Sequence, residues 1–188
     1  SKGFTLIELM VTVTLVAIAL ALGVPSFTTF QRNAELTSAT NSLVAALNAA
    51  RGEAMKRGRY AMVVPTDGAN WNSGWVVFVD VDRTGSYTAN DLTILTQEPP
   101  PSYLTVTPTP KSSLYIMYDA SGYSKTTTGS FGAWTFEIKR QDVAGSEVFK
   151  QTRRIKIAST GRVRVCTPKS IDDALCPQSA STSNSSDL

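Results

Sequence analysis

The residues best suited to chemistry lie late in the chain. Two short alternating runs, Arg153-Arg154-Ile155-Lys156-Ile157 and Arg162-Val163-Arg164-Val165, flank Ser159-Thr160-Gly161. Side chains alternate along a strand, so Arg154 and Lys156 share a face opposite Ile155 and Ile157, and Arg162 and Arg164 share one opposite Val163 and Val165. If the Ser-Thr-Gly turn joins two strands, four cations line one surface, with Lys150, Arg153 and Lys169 close by in sequence. Guanidinium groups hold phosphate oxygens bidentately, so this surface suits a phosphate backbone. The same pattern also describes a solvent-facing strand pair kept soluble by its charges.

A second cluster is acidic. Asp80, Asp82, Thr84, Gly85 and Asp91 fall at positions 1, 3, 5, 6 and 12 of a calcium-loop template, with oxygens where a hard cation wants them. Arg83 adds a positive charge to that loop, Asp91 is shorter than the usual bidentate glutamate, and no helix is expected on either side. A plain hairpin turn is the competing reading. The chain has no histidine, which removes the usual general base, the usual zinc ligand and any Ser-His-Asp arrangement. With no nucleophile-base pair, metal cluster or phosphate loop, neither an enzyme nor a cofactor is expected.

The elements that must position these groups begin with an apolar run. Phe4 to Val24 is 21 residues with a single charge, Glu8. As a helix it would span roughly 30 Å, the thickness of a bilayer's hydrocarbon core. An ionised group at that depth costs roughly 2.5–3.5 kcal/mol or more, so Glu8 needs a partner or a purpose. A cleaved secretory signal would have a shorter apolar stretch, no acid, and its small residue after the run rather than before it, where Gly3 stands. Pro25 follows and is expected to bend the helix. Leu36, Leu43, Ala46, Leu47, Ala50 and Ala54 then recur at three- and four-residue steps and predict a second helical half with one packed face, closed at Gly58 beside Arg51, Lys56, Arg57 and Arg59.

Gly3-Phe4-Thr5-Leu6-Ile7-Glu8 resembles the processing site of type IV pilins and type II secretion pseudopilins. The resemblance implies that a prepilin peptidase cuts after Gly3 and methylates Phe4. It implies that residues 1–3 are a leader remnant, with Lys2 fitting the leader's basic character. It further implies that Glu8 meets the free amino terminus of a neighbouring subunit in a filament. Ala50 to Gly58, Gly74 to Asp80, the acidic turn and the following Leu92-Thr93-Ile94-Leu95 are similar in order to the GspH/FimT branch of minor pilins and pseudopilins. Gly161-Arg162-Val163-Arg164 resembles the Gly-Arg-x-Arg element of FimT-type minor pilins, which are linked to DNA capture in natural transformation. In an exported domain of this kind Cys166 and Cys176 read as one disulfide, which would stabilise the fold by about 2–3 kcal/mol; two free thiols are the alternative.

After Arg59 the pattern is of strands: Tyr60 to Pro65, Gly74 to Asp80, a short segment between Pro101 and Pro108 confined by prolines to an edge or loop, Leu114 to Tyr118, Ala133 to Lys139, and Val148 to Gln151. Tyr123 to Gly132 reads as an exposed loop. The 188-residue chain carries a net charge of +3, but nine basic and three acidic side chains fall within residues 137–169. The expected organisation is a leader remnant (1–3), an apolar helix (4–30), one globular domain (31–178) and a serine-rich tail (179–188). The fold class is α+β: a long kinked N-terminal helix packed on an antiparallel sheet, with a disulfide-bonded C-terminal loop.

The function this implies is a minor pilin, single-pass in the bacterial inner membrane before assembly and on the cell surface afterwards. Its partners would be other pilins, the prepilin peptidase and double-stranded DNA without sequence specificity. Arg162 and Arg164 would lead in DNA binding, supported by Arg154, Lys156, Arg153 and Lys169. Two alternatives stand beside it: a priming subunit at the pilus tip without DNA binding, and a pseudopilin of a type II secretion system.

Overall fold

The computed structural model describes residues 3–179, and within the first helix the side chains of residues 22–26 are not described. The first two residues of the expected leader remnant, the side chain of Pro25 and the tail beyond Ser179 therefore lie outside the described residues. The chain divides into two compact units, Ser1–Glu35 and Leu36–Leu188.

Helix α1 runs over Leu6–Arg57. Its start is a capping box: Glu8 N–H donates to Thr5 Oγ1 at 3.3 Å, and Thr5 N–H donates back to Glu8 Oε2 at 2.9 Å. In the first unit the large apolar side chains from Leu6 to Leu20 are exposed. Among the described residues no helix is long and apolar enough to cross a membrane. The run Phe4 to Val24, expected to span one, reaches into the positions whose side chains are not described.

In the second unit the spacing read from the sequence is the buried face: Leu36, Leu43, Ala46, Leu47, Ala50 and Ala54 are all inaccessible to solvent. The helix ends as a Schellman motif. Gly58 takes φ +64°, and Arg59 N–H donates to Ala54 O at 3.3 Å.

Among the described residues nine strands follow, in two antiparallel sheets where a single sheet is expected from the sequence. The first sheet has the order β3-β2-β1-β5-β6, from β1 (Ala61–Pro65), β2 (Trp75–Val79), β3 (Leu92–Gln97), β5 (Ile116–Tyr118) and β6 (Ser124–Lys125). The second has the order β4-β7-β8-β9, from β4 (Leu104–Thr109), β7 (Trp134–Arg140), β8 (Thr152–Ile157) and β9 (Val163–Cys166). Proline-bounded β4 is an edge strand, as its sequence requires. Both sheets contribute to one core with α1: Val63, Trp75, Val77 and Tyr118 from the first, Phe136, Ile138, Ile155 and Ile157 from the second. Trp71, on a 3₁₀ turn before β2, sits edge-on to Phe136 with ring centroids 4.6 Å apart.

Two local expectations change. Val148 to Gln151 is not a strand but part of a single helical turn, α2 (Glu147–Lys150). Register explains it: Lys139 pairs with Thr152, so the residues between must turn the chain back and cannot extend the ladder. Gln151 N–H donates to Glu147 O, Thr152 Oγ1 donates to Val148 O, and Lys150 pairs with Glu147 at 2.7 Å. The Tyr123 to Gly132 loop contains β6, tied by Gly132 N–H to Ser124 O.

Because Leu47 is fully enclosed between the helix and the sheets, Leu47→Ala should cost about 2–5 kcal/mol in denaturant unfolding of the full chain.

Candidate functional site

Arg153, Arg154 and Lys156 sit on β8 and Arg164 on β9, with Arg162 in the turn before β9 and Lys169 beyond it, and the ladder fixes the sides of the strand residues. Glu137 of β7 faces Arg154, which faces Cys166; Thr135 faces Lys156, which faces Arg164. Ile155 and Ile157 point the other way into the core. Alternation along the strands therefore assigned the face correctly.

That face, however, is covered. After Cys166 the chain folds back across it, closed by the Cys166–Cys176 disulfide. Arg154 Nη1 donates to Cys176 O at 2.6 Å, Arg164 Nη2 donates to Leu175 O at 3.0 Å, and Thr135 Oγ1 donates to Ser179 O at 3.3 Å. Arg154 Nε donates to Glu137 Oε2 at 2.9 Å, and Arg154 is only 2% exposed. The expectation that Arg154 faces solvent is thereby corrected. A buried guanidinium is tolerable only when paired and hydrogen-bonded, and Glu137 with the Cys176 carbonyl supplies both. The covering segment has its own staple at Asp173. Its carboxylate accepts Lys169 N–H at 2.8 Å and Leu175 N–H at 2.9 Å, and the Lys169 bond first, then the Leu175 bond, holds it below the usual carboxylate range.

The other cations divide by exposure. Arg153 is half-buried and turned to the backbone, donating to Lys150 O at 2.8 Å and Thr152 O at 3.0 Å; burial lowers its pKa. Lys156 and Arg164 are half-buried, and Arg162 and Lys169 are exposed. Among the described residues Arg162 has no acidic partner.

Arg162 projects from a turn held with little freedom. Ala158 N–H donates to Arg162 O at 2.9 Å, and Gly161 N–H donates to Ala158 O at 2.8 Å. Gly161 has φ +80°, and a Cβ there would lie 1.9 Å from Gly122 O, so no other residue fits. Arg51 of α1 bridges the two turns, donating from Nε to Gly122 O at 3.0 Å and from Nη2 to Thr160 O at 3.2 Å. The sequence groups Arg51 only with the cations near the helix end, beside Gly58. The signal that could have separated it is its position four residues after buried Leu47, on the same helix face.

The acidic residues also come together: one carboxylate oxygen each from Asp80, Asp82 and Asp91 lies within 4.8 Å of the others. They already serve the loop's own backbone. Asp80 accepts Thr84 and Gly85 N–H, Asp91 accepts Val81 and Thr88 N–H, and Asp82 accepts the Thr88 hydroxyl, which chiefly lowers its pKa. This is what a hairpin turn between β2 and β3 needs. At the other end of the chain, Gly3, Phe4 and Thr5 precede the helix without regular structure, and Glu8 is exposed.

Glu137→Ala would leave Arg154 buried without its carboxylate and should cost about 3–5 kcal/mol in chemical unfolding. Opening the loop with Cys166→Ser and Cys176→Ser should cost about 2–3 kcal/mol by the same measurement.

Comparison with known proteins places this geometry. No curated protein matches the chain. Among solved structures, it is similar to the type IV minor pilin FimU of Pseudomonas aeruginosa strain PAO1, with 22% identity and a TM-score of 0.59 over 75% of this chain and 98% of that one. It is also similar to the minor pseudopilin EpsH of the Vibrio cholerae type 2 secretion system, with 14% identity and a TM-score of 0.50 over 72% of this chain and 99% of that one. The prokaryotic N-terminal methylation motif matches residues 1–24, which indicates a pilin-type, membrane-anchored precursor. The family described as Type II transport protein GspH matches residues 39–161, more than half of the chain, and the chain belongs to that family of minor pilins and pseudopilins.

Proposed function

We propose that this chain is a minor pilin of a type IV pilus that holds double-stranded DNA through phosphate contacts. The observation that carries the reading is Arg162: an exposed guanidinium without an acidic partner among the described residues, on a turn fixed by Gly161 and Arg51. Lys169 is a second exposed cation, and Arg164 and Lys156 stand beside each other across the ladder. These groups touch phosphate and read no base edge, so binding is independent of sequence. A patch this small binds weakly alone, and several subunits on one filament supply avidity.

The N-terminal unit serves assembly. Peptidase cleavage between Gly3 and Phe4 frees an amine. Glu8, exposed and held at the helix start by Thr5, gives that amine of a neighbouring subunit its counter-charge. The apolar helix lies in the inner membrane before assembly and in the filament core afterwards, which brings the domain to the cell surface. One observation favours the alternative, a subunit of a pilus or secretion filament that contacts only other subunits. Arg154 and Arg164, two of the six cations assigned to DNA, are engaged with the chain's own carbonyls.

The test is a titration of labelled duplex DNA with the full chain in non-ionic detergent at several salt concentrations. Affinity should fall with salt with a log–log slope of about −2 to −3, and Arg162→Ala should reduce the slope by about 1. Absence of binding at low salt, or equal binding by Arg162→Ala with Lys169→Ala, selects the purely structural subunit.

A further inference from the structure

The turn that carries Arg162 has a second neighbour of different chemistry. β5 and β6 are joined at Asp119 to Gly122. Hydrogen bonds close the turn: Gly122 N–H donates to Asp119 O at 2.9 Å, and Asp119 Oδ1 accepts the N–H groups of Ser121 and Tyr123 at 2.9 and 3.0 Å. Gly122 presses against Gly161, and Ser124 N–H donates to Ser159 O at 3.0 Å, so this hairpin and the β8–β9 turn are joined backbone to backbone. Tyr123 and Arg162 each follow one of the two glycines in contact.

Beyond that contact stand two exposed aromatic side chains. Tyr123 is 42% and Phe131 59% exposed, with ring centroids 5.6 Å apart in an edge-to-face arrangement. Lys125 lies with Nζ 3.5 Å from the Phe131 centroid and is paired at 3.9 Å with Asp119, so the ring is backed by a cation rather than by core. The strand bridge between Lys125 and Phe131, and Thr126 N–H to Ser130 O at 2.8 Å, hold the loop in place. Exposing two large rings side by side forgoes apolar burial that the nearby core could supply, and neither ring packs into it.

We infer that Tyr123 and Phe131 form a stacking platform for unpaired bases, so that this edge of the domain takes a single-stranded stretch of DNA whose phosphates run on to Arg162. The inference rests on the DNA-binding reading and adds to it a second contact, to the bases of an unpaired stretch, beside the phosphate contacts that a duplex makes. Bases offer a π-face whatever their identity, which makes rings beside cations a sequence-tolerant site for single strands. A duplex hides those faces and meets only the charges. Charge favours this occupant over an apolar protein surface: exposed Arg162 follows the glycine that packs on Gly122, and Lys125 stacks on Phe131. The Asp119 carboxylate of this turn already shares its charge with Lys125 and two N–H donors.

The experiment compares three probes on the full chain in non-ionic detergent: an oligothymidylate, an abasic oligomer of equal length, and a duplex. The parent should bind oligothymidylate at least about fivefold more tightly than the abasic strand. Tyr123→Ala with Phe131→Ala should abolish that preference while leaving duplex binding within about twofold, and Tyr123→Trp with Phe131→Trp should restore it. An unchanged thermal midpoint confirms that the alanine variant is folded. Equal binding of oligothymidylate and abasic strand, or a preference that survives the alanine variant, overturns the platform while leaving phosphate capture standing. If neither strand nor duplex binds, the DNA reading falls and the platform with it.

Discussion

The structure depends on one buried contact, the pair between Arg154 and Glu137 in the middle of the second sheet. Placing a guanidinium there is costly, and the cost is offset only because a carboxylate stands directly across the ladder and the Cys176 carbonyl takes a further N–H. The pair thereby converts the polar side of a strand into a second interior, roofed by the disulfide-closed segment. Arg164 extends the same arrangement to Leu175. Which cations reach solvent follows directly. Those beneath the roof hold it in place, Arg162 at the far end of the strand pair is left outside, and Lys169 is exposed on the covering segment itself.

The opposite side of the same sheet is conventional. Ile155 and Ile157 pack with Phe136 and Ile138 against the buried alanines and leucines of α1. Small residues at positions 46, 50 and 54 let the helix come close, and that closeness brings Arg51 within reach of two loop carbonyls. A helix cation far from Gly161 in sequence thus sets where the β8–β9 turn stands. Gly161 completes the fit, since only a residue without Cβ can approach Gly122 so closely. The position of Arg162 is a product of core packing as much as of local turn chemistry.

Much of this was legible in the sequence because it follows from periodicity and local chemistry. The six helix positions at three- and four-residue steps are the buried face, the β8–β9 alternation gives the correct sides, and the two cysteines are bonded. What was not legible depends on contacts distant in sequence. Nothing near Arg154 says that Glu137 will face it, or that a later segment will cover the face both share. Val148 to Gln151 has strand-like composition, but the register of β7 with β8 leaves it no partner. The division of the strands into two sheets is likewise a matter of packing, not of local pattern.

The central claim is that the covered face and its margin have different roles: Arg154 holds the fold and Arg162 meets phosphate. Arginine-selective modification with phenylglyoxal, read residue by residue by mass spectrometry with and without duplex DNA, addresses both halves at once. The account predicts that Arg162 reacts readily in the free protein and is protected by DNA, while Arg154 stays unmodified in both states. Reaction at Arg154 in the folded protein, or an Arg162 reactivity indifferent to DNA that demonstrably binds, would contradict it.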